Sequence, residues 1–156
     1  MKRLMKLLAL TALTTTTALS AADTDTVTVT FTIDTVRDIV FSGDPAPFTI
    51  LPGLEAVVDS TTTYAVTTNA NNQRITAALD TNMPAETLLE VQLAPPTGAT
   101  AAGFVTLTTV AADLVTGITD VDEAGLLVTY RASATVDAIP AAADTRTITY
   151  TILDGA

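Results

Sequence analysis

Thr24-Asp25-Thr26-Val27-Thr28-Val29-Thr30-Phe31-Thr32-Ile33 alternates between polar and apolar residues over nearly its whole length. Val27, Val29, Phe31 and Ile33 fall on one face of an extended chain, and Thr26, Thr28, Thr30 and Thr32 on the other. That period of two marks a β-strand with one face covered. Threonine suits the role because its branched Cβ is stiff in the extended backbone while its hydroxyl faces water. The same cadence closes the chain, where Ile148, Tyr150 and Ile152 are opposed by Thr147, Thr149 and Thr151. Threonine supplies 33 of the 156 residues, 28 of them beyond Ala22, so the alternation is general rather than local.

Between these two strands the spacing predicts others near Asp38–Ser42, Phe48–Leu51, Leu54–Asp59, Thr62–Thr68, Arg74–Leu79, Leu88–Ala94, Gly103–Thr109 and Leu126–Val136. Turn-forming clusters punctuate them at Gly43-Asp44-Pro45-Ala46-Pro47, Pro52-Gly53, Asn69-Ala70-Asn71-Asn72 and Pro95-Pro96-Thr97-Gly98. Val110 and Leu114 are spaced for one or two helical turns over 109–115, and Pro84 suits the first turn of another over 84–89. No composition shift divides the chain beyond residue 22. Many short strands with regular turns imply an all-β fold, a single antiparallel sandwich that is Ig-like in the broad sense, over residues 23–156.

Residues 1–22 are expected to be a signal peptide. Lys2, Arg3 and Lys6 precede an apolar run from Leu4 to Leu13, and small residues follow at Ala18, Ser20, Ala21 and Ala22. The run is too short to span a bilayer, and no membrane span is expected in the mature chain. Cleavage after Ala22 leaves four arginines (Arg37, Arg74, Arg131, Arg146), no lysine and all 17 carboxylates, a formal charge of −13. Such a field repels nucleic acid and anionic lipid, so neither is expected as a partner. Without cysteine there is no disulfide and no lipid anchor at the leader junction.

The chain also lacks histidine and tryptophan. Ser-His and Cys-His dyads and imidazole or thiolate metal sites are therefore impossible. Ser42, Ser60 and Ser133 lie in no nucleophile motif, and no glycine-rich loop is placed to cradle phosphate. Paired carboxylates could serve glycoside hydrolysis, but the sugar-stacking aromatics such sites need are scarce. The reading is a non-enzyme without a cofactor. Asp120, Asp122 and Glu123 form the densest acidic cluster. A solvated hairpin turn is the simpler account of it, with a calcium loop as the alternative, although its spacing departs from the EF-hand pattern.

The first strand begins almost at the expected cleavage site, with no turn before it and a hinge candidate at Asp34-Thr35. Two roles are open to it: an ordinary first strand of its own sandwich, or a strand donated to a neighbouring copy. In the second, Val27, Val29, Phe31 and Ile33 would act as knobs completing the neighbour's sheet edge. Donor and acceptor patches would differ, so the contact would run head to tail.

The leader, the threonine-rich alternating first strand, the all-β body and the closing Thr147-Ile148-Thr149-Tyr150-Thr151-Ile152 strand together resemble the secreted pilin and spore-coat-U-type β-sandwich subunits of bacteria. The resemblance spans the mature chain in pattern and implies a structural role at the cell surface with other copies as partners. It departs from those families in having no disulfide cysteines. The rival reading is a monomeric exported module holding calcium or a small ligand in its acidic loops.

Overall fold

A computed structural model describes residues 25–54, 56–139 and 143–155. The leader segment, residues 1–22, lies outside them. Among the described residues there are ten strands: β1 (Arg37–Phe41), β2 (Val57–Asp59), β3 (Thr63–Thr68), β4 (Gln73–Leu79), β5 (Thr87–Leu93), β6 (Thr100–Ala101), β7 (Val105–Thr106), β8 (Ala112–Ile118), β9 (Val121–Ala134) and β10 (Ile148–Asp154). They form two sheets, one ordered β1-β3-β9-β5-β7 with β2 also on β9, the other ordered β10-β4-β8-β6. Every pairing is antiparallel. The fold is the expected all-β sandwich.

Its core is the meeting of the two inner faces. Tyr64 and Val66 of β3, Val91 and Leu93 of β5, and Val128, Tyr130 and Ala132 of β9 face Ile75 and Ala77 of β4 and Leu114, Val115 and Ile118 of β8. Burying one aliphatic side chain of this size contributes roughly 1.5–3 kcal/mol.

Two glycines adjust the phase of the pattern. Val66 faces Glu123 and Tyr64 faces Leu126, so Ala65 alone opposes both Ala124 and Gly125. Gly125 takes a φ of 72°, the left-handed conformation that such a bulge uses. The extra residue moves the inward positions from Val121 and Glu123 to Leu126, Val128, Tyr130 and Ala132, so the long β9 keeps its apolar side on the core. In β8 the register slips at Thr116-Gly117 and again at Leu114, with Gly117 at φ 74°.

The slips in β8 explain a departure from the sequence expectation. Residues 109–115 are not a helix; the chain becomes strand at Ala112. The bulges hide the period of two by leaving both Leu114 and Val115 buried, and the Val110–Leu114 spacing that suggested a helix joins an exposed residue ahead of β8 to a buried one within it. Residues 84–89 are not helical either: Thr87 donates its N–H to Pro84 O (3.2 Å) in a turn, and β5 starts at once. No strand forms over 48–51, where Phe48 and Ile50 pack on the core between three prolines that cannot donate to a ladder. The expected strand at 103–109 is reduced to the two residues of β7. Residues 25–33 belong to no strand.

A Cβ at Gly125 meets nothing within 4 Å, so its replacement tests backbone conformation alone. Gly125→Ala is expected to lower unfolding free energy by about 1–2 kcal/mol, and Leu114→Ala, which empties a buried site, by about 2–5 kcal/mol. Urea denaturation followed by far-UV circular dichroism measures both.

Candidate functional site

The two lateral sides of the sandwich differ. On one, the chain from β6 to β7 crosses between the sheets and is bonded to both: Ala102 N donates to Leu114 O (2.9 Å), Leu107 N to Leu89 O (2.9 Å), and Leu79 N to Thr108 O (2.8 Å). On the other, β1 and β10 are the last strands of their sheets, so this side is open in the sense that no described strand pairs with either edge.

The main-chain polarity of this open side follows from the ladders. Hydrogen-bonded pairs alternate along an antiparallel pair of strands. Asp80 N donates to Thr147 O (3.0 Å) and Gly155 N to Asn72 O (2.6 Å), which assigns the β4-facing groups to Thr147, Thr149, Thr151 and Leu153. The N–H and C=O groups of Ile148, Tyr150 and Ile152 therefore point outward. On β1, Ser42 N donates to Thr63 O (2.8 Å), so Arg37, Ile39 and Phe41 turn their main chain outward in the same way. On both edges the residues with outward main chain are those whose side chains turn inward.

Side chains bridge the gap between the edges. The Phe41 ring stacks on Tyr150, centroids 4.2 Å apart, and on Tyr64 at 5.7 Å. Tyr150 Oη donates to Tyr130 Oη (3.1 Å) and Tyr64 Oη to Ala94 O (2.6 Å). All three tyrosines of the chain thus gather beneath the open side. Desolvation pushes the Tyr64, Tyr130 and Tyr150 hydroxyls above their ordinary range. At one end of the gap Arg37 pairs with Asp154 and bonds the buried Gln73 through Nε (2.5 Å), and Gln73 Nε2 donates to Asp154 (2.9 Å).

The four expected assembly residues lie just before β1. Val27, Val29, Phe31 and Ile33 are 85%, 79%, 79% and 78% exposed, although each is large and apolar. Residues 25–32 belong to a unit separate from the one that begins at Ile33. The root of the segment is held by Asn69, which follows β3: its Oδ1 accepts from Val36 N (2.8 Å) and its Nδ2 donates to Asp34 O (2.9 Å). Sequence reading placed Asn69 in a turn cluster and missed this contact; no local signal announces a bond across 35 residues.

The acidic cluster is laid out differently from the expected turn. Only Asp120 is in the turn, at φ 47°; Asp122 and Glu123 are already in β9 and point to opposite faces. Asp122 accepts from Thr67 Oγ1 (2.8 Å) and Glu123 from Thr97 N (2.9 Å). Among the described residues no group of three or more acidic side chains is placed to hold a metal ion. No helix there is long and apolar enough to cross a membrane. Among the described residues, two shallow concavities, one bounded by Thr49, Leu51, Leu54 and Val57 and the other beside Met83 and Leu89, are lined by no ionisable side chain.

Each of the four arginines among the described residues has a carboxylate partner: Arg37 with Asp154, Arg74 with Asp113 (3.2 Å), Arg131 with Glu90 (2.7 Å) and Arg146 with Asp144 (2.5 Å). Arg131 also lies over the Phe104 ring at 4.1 Å. In comparisons with known proteins, no family model, no curated protein and no solved structure matches the chain.

Two exposed carboxylates tie β10 to its surroundings. The Thr147 N–H, helped by Thr81, holds Asp80 below the usual aspartate range, and Gln73, with Arg37, does the same for Asp154. A carboxylate with a lowered folded-state pKa stabilises the fold above its unfolded value, near about pH 4, and loses that contribution as pH falls through the folded value. Thermal unfolding of Asp80→Asn and Asp154→Asn should therefore vary less between about pH 5 and pH 2 than that of the parent chain.

Proposed function

We propose that this chain is an exported, non-catalytic structural subunit of the cell surface or extracellular space, joined to other copies of itself by donation of its N-terminal segment. The observation that carries the reading is the exposure of Val27, Val29, Phe31 and Ile33. An alternating, strand-forming sequence stands outside both sheets with four large apolar side chains in water. Isolated exposed hydrophobes are ordinary, but four in one β-phase ask for a cover.

The open side of a second copy supports the reading as an acceptor. A strand paired with β10 would hydrogen-bond to the outward main chain of Ile148, Tyr150 and Ile152. Residues opposite those three share their inward face, so the apolar knobs would enter the gap and the donor threonines would lie beside Thr149 and Thr151. The edges β6 and β7, two residues each, offer no comparable length. Donor and acceptor are different patches, so successive joints propagate into a filament unless the rotation closes a ring. The pilin-like pattern of the sequence agrees with this role.

Size distribution by light scattering tests it. The chain from Asp23 should form large species and a chain starting at Asp34 should stay small while keeping its sheet content. Phe31→Ala should weaken the joint sharply, since truncating a buried phenylalanine costs about 3–5 kcal/mol. Equal, monomeric mass for the Asp23 and Asp34 chains would overturn the reading.

A further inference from the structure

We infer that Asn69 is a positioning residue that keeps the donor segment available to a second copy; the inference rests on the donor reading above. The Asn69 carboxamide binds the C=O of Asp34 and the N–H of Val36 together. A carbonyl at one residue and an N–H two residues later point the same way in extended chain, and a single partner bonding both reproduces what a neighbouring strand does to the residue between them. Asp38 and Val40 of β1 and Ser42 just after it turn their main chain towards β3, and Val36 N and Asp34 O fall in the same phase. Asn69 therefore extends the β3 side of the β1 ladder by one side chain, after β3 itself has ended at Thr68. It holds the root of the segment in line with β1.

The alternative geometry that this denies is specific. A three-residue loop at Asp34-Thr35-Val36 would make a hairpin of an ordinary kind. It would set Ile33 opposite Arg37, Phe31 opposite Ile39 and Val29 opposite Phe41. The latter three residues have outward main chain, and Ile39 and Phe41 have inward side chains. The hairpin would thus satisfy the free β1 edge and cover the same knobs, leaving a closed monomer with nothing to donate. A hairpin loop needs Asp34 and Val36 released from the extended form that Asn69 maintains. Asn69 selects donation over self-closure by holding two main-chain groups.

The experiment uses the full chain, expressed with residues 1–22 in place, as parent, Asn69→Ala and Asn69→Asp. The aspartate keeps the acceptor for Val36 N and loses the donor for Asp34 O. Light scattering gives the assembled fraction, and amide hydrogen exchange in the monomer fraction reports Arg37, Ile39 and Phe41. Asn69→Ala should reduce the assembled fraction at least several-fold, and its three amides should become protected relative to the parent monomer, with Asn69→Asp intermediate. A merely destabilising loss would lower protection throughout the sandwich instead of raising it at these three sites. If both variants keep the parent's exchange at these amides, or if the variants lose protection everywhere, the positioning role is overturned. If the parent itself never assembles, the donor reading fails by that result alone, while the exchange comparison still decides whether Asn69 prevents closure.

Discussion

Burial of the two inner faces against each other holds the sandwich together, and most of its other features can be traced to keeping those faces apolar. A strand exposes alternate residues, so any change of phase in the sequence must be absorbed by the backbone. In β9 the absorption falls at Ala124-Gly125, which lets Val66 and Tyr64 of one neighbouring strand meet inward residues on both sides of the bulge. In β8 it falls around Leu114 and Gly117, and two adjacent residues, Leu114 and Val115, are both buried as a result. With no cysteine to form a disulfide and no histidine or thiolate to bind a metal, the cohesion described comes from this contact and from the ladders.

The regular strands were legible because they keep the period of two. β3, β4, β5 and β10 match the sequence reading closely for that reason, their buried and part-exposed residues alternating with few exceptions. β8 was not legible as strand because its bulges break the period of two, while Val110, exposed ahead of the strand, stands at helical spacing from Leu114. The segment from Gly43 to Ala56 was read partly as strand on the strength of Phe48 and Ile50, whereas its prolines remove the donors a ladder needs. The four exposed residues at 27–33 were identified by pattern, but pattern alone left open whether they belonged to the chain's own sheet. Asn69 was invisible because its role depends on where β3 stops relative to the start of β1, a tertiary relation.

The acidic turn illustrates how a composition signal divides once register is known. Asp120, Asp122 and Glu123 are neighbours in sequence, yet strand alternation sends Asp122 and Glu123 to opposite faces, each bonded to a threonine: Thr67 through its hydroxyl and Thr97 through its main chain. These acids act as local ties between β9 and the segments beside it. The aromatic residues are also gathered by the fold: Phe41, Tyr64, Tyr130 and Tyr150 come from four strands of two sheets to form one layer below the β1 and β10 edges.

Because Arg37, Arg74, Arg131 and Arg146 are each matched to a carboxylate, no cation among the described residues is left over to balance the remaining acids. In the proposed assembly, an array of such subunits would be a polyelectrolyte drawing its counter-charge from dissolved ions. The work of bringing one more copy to its end grows with the charge already within a Debye length, about 10 Å at 0.1 M salt and about 30 Å at 0.01 M. The same joint therefore meets few neighbouring charges in concentrated salt and many in dilute salt. If the chain assembles as proposed, the ionic strength of the surrounding medium becomes part of the energetics of growth.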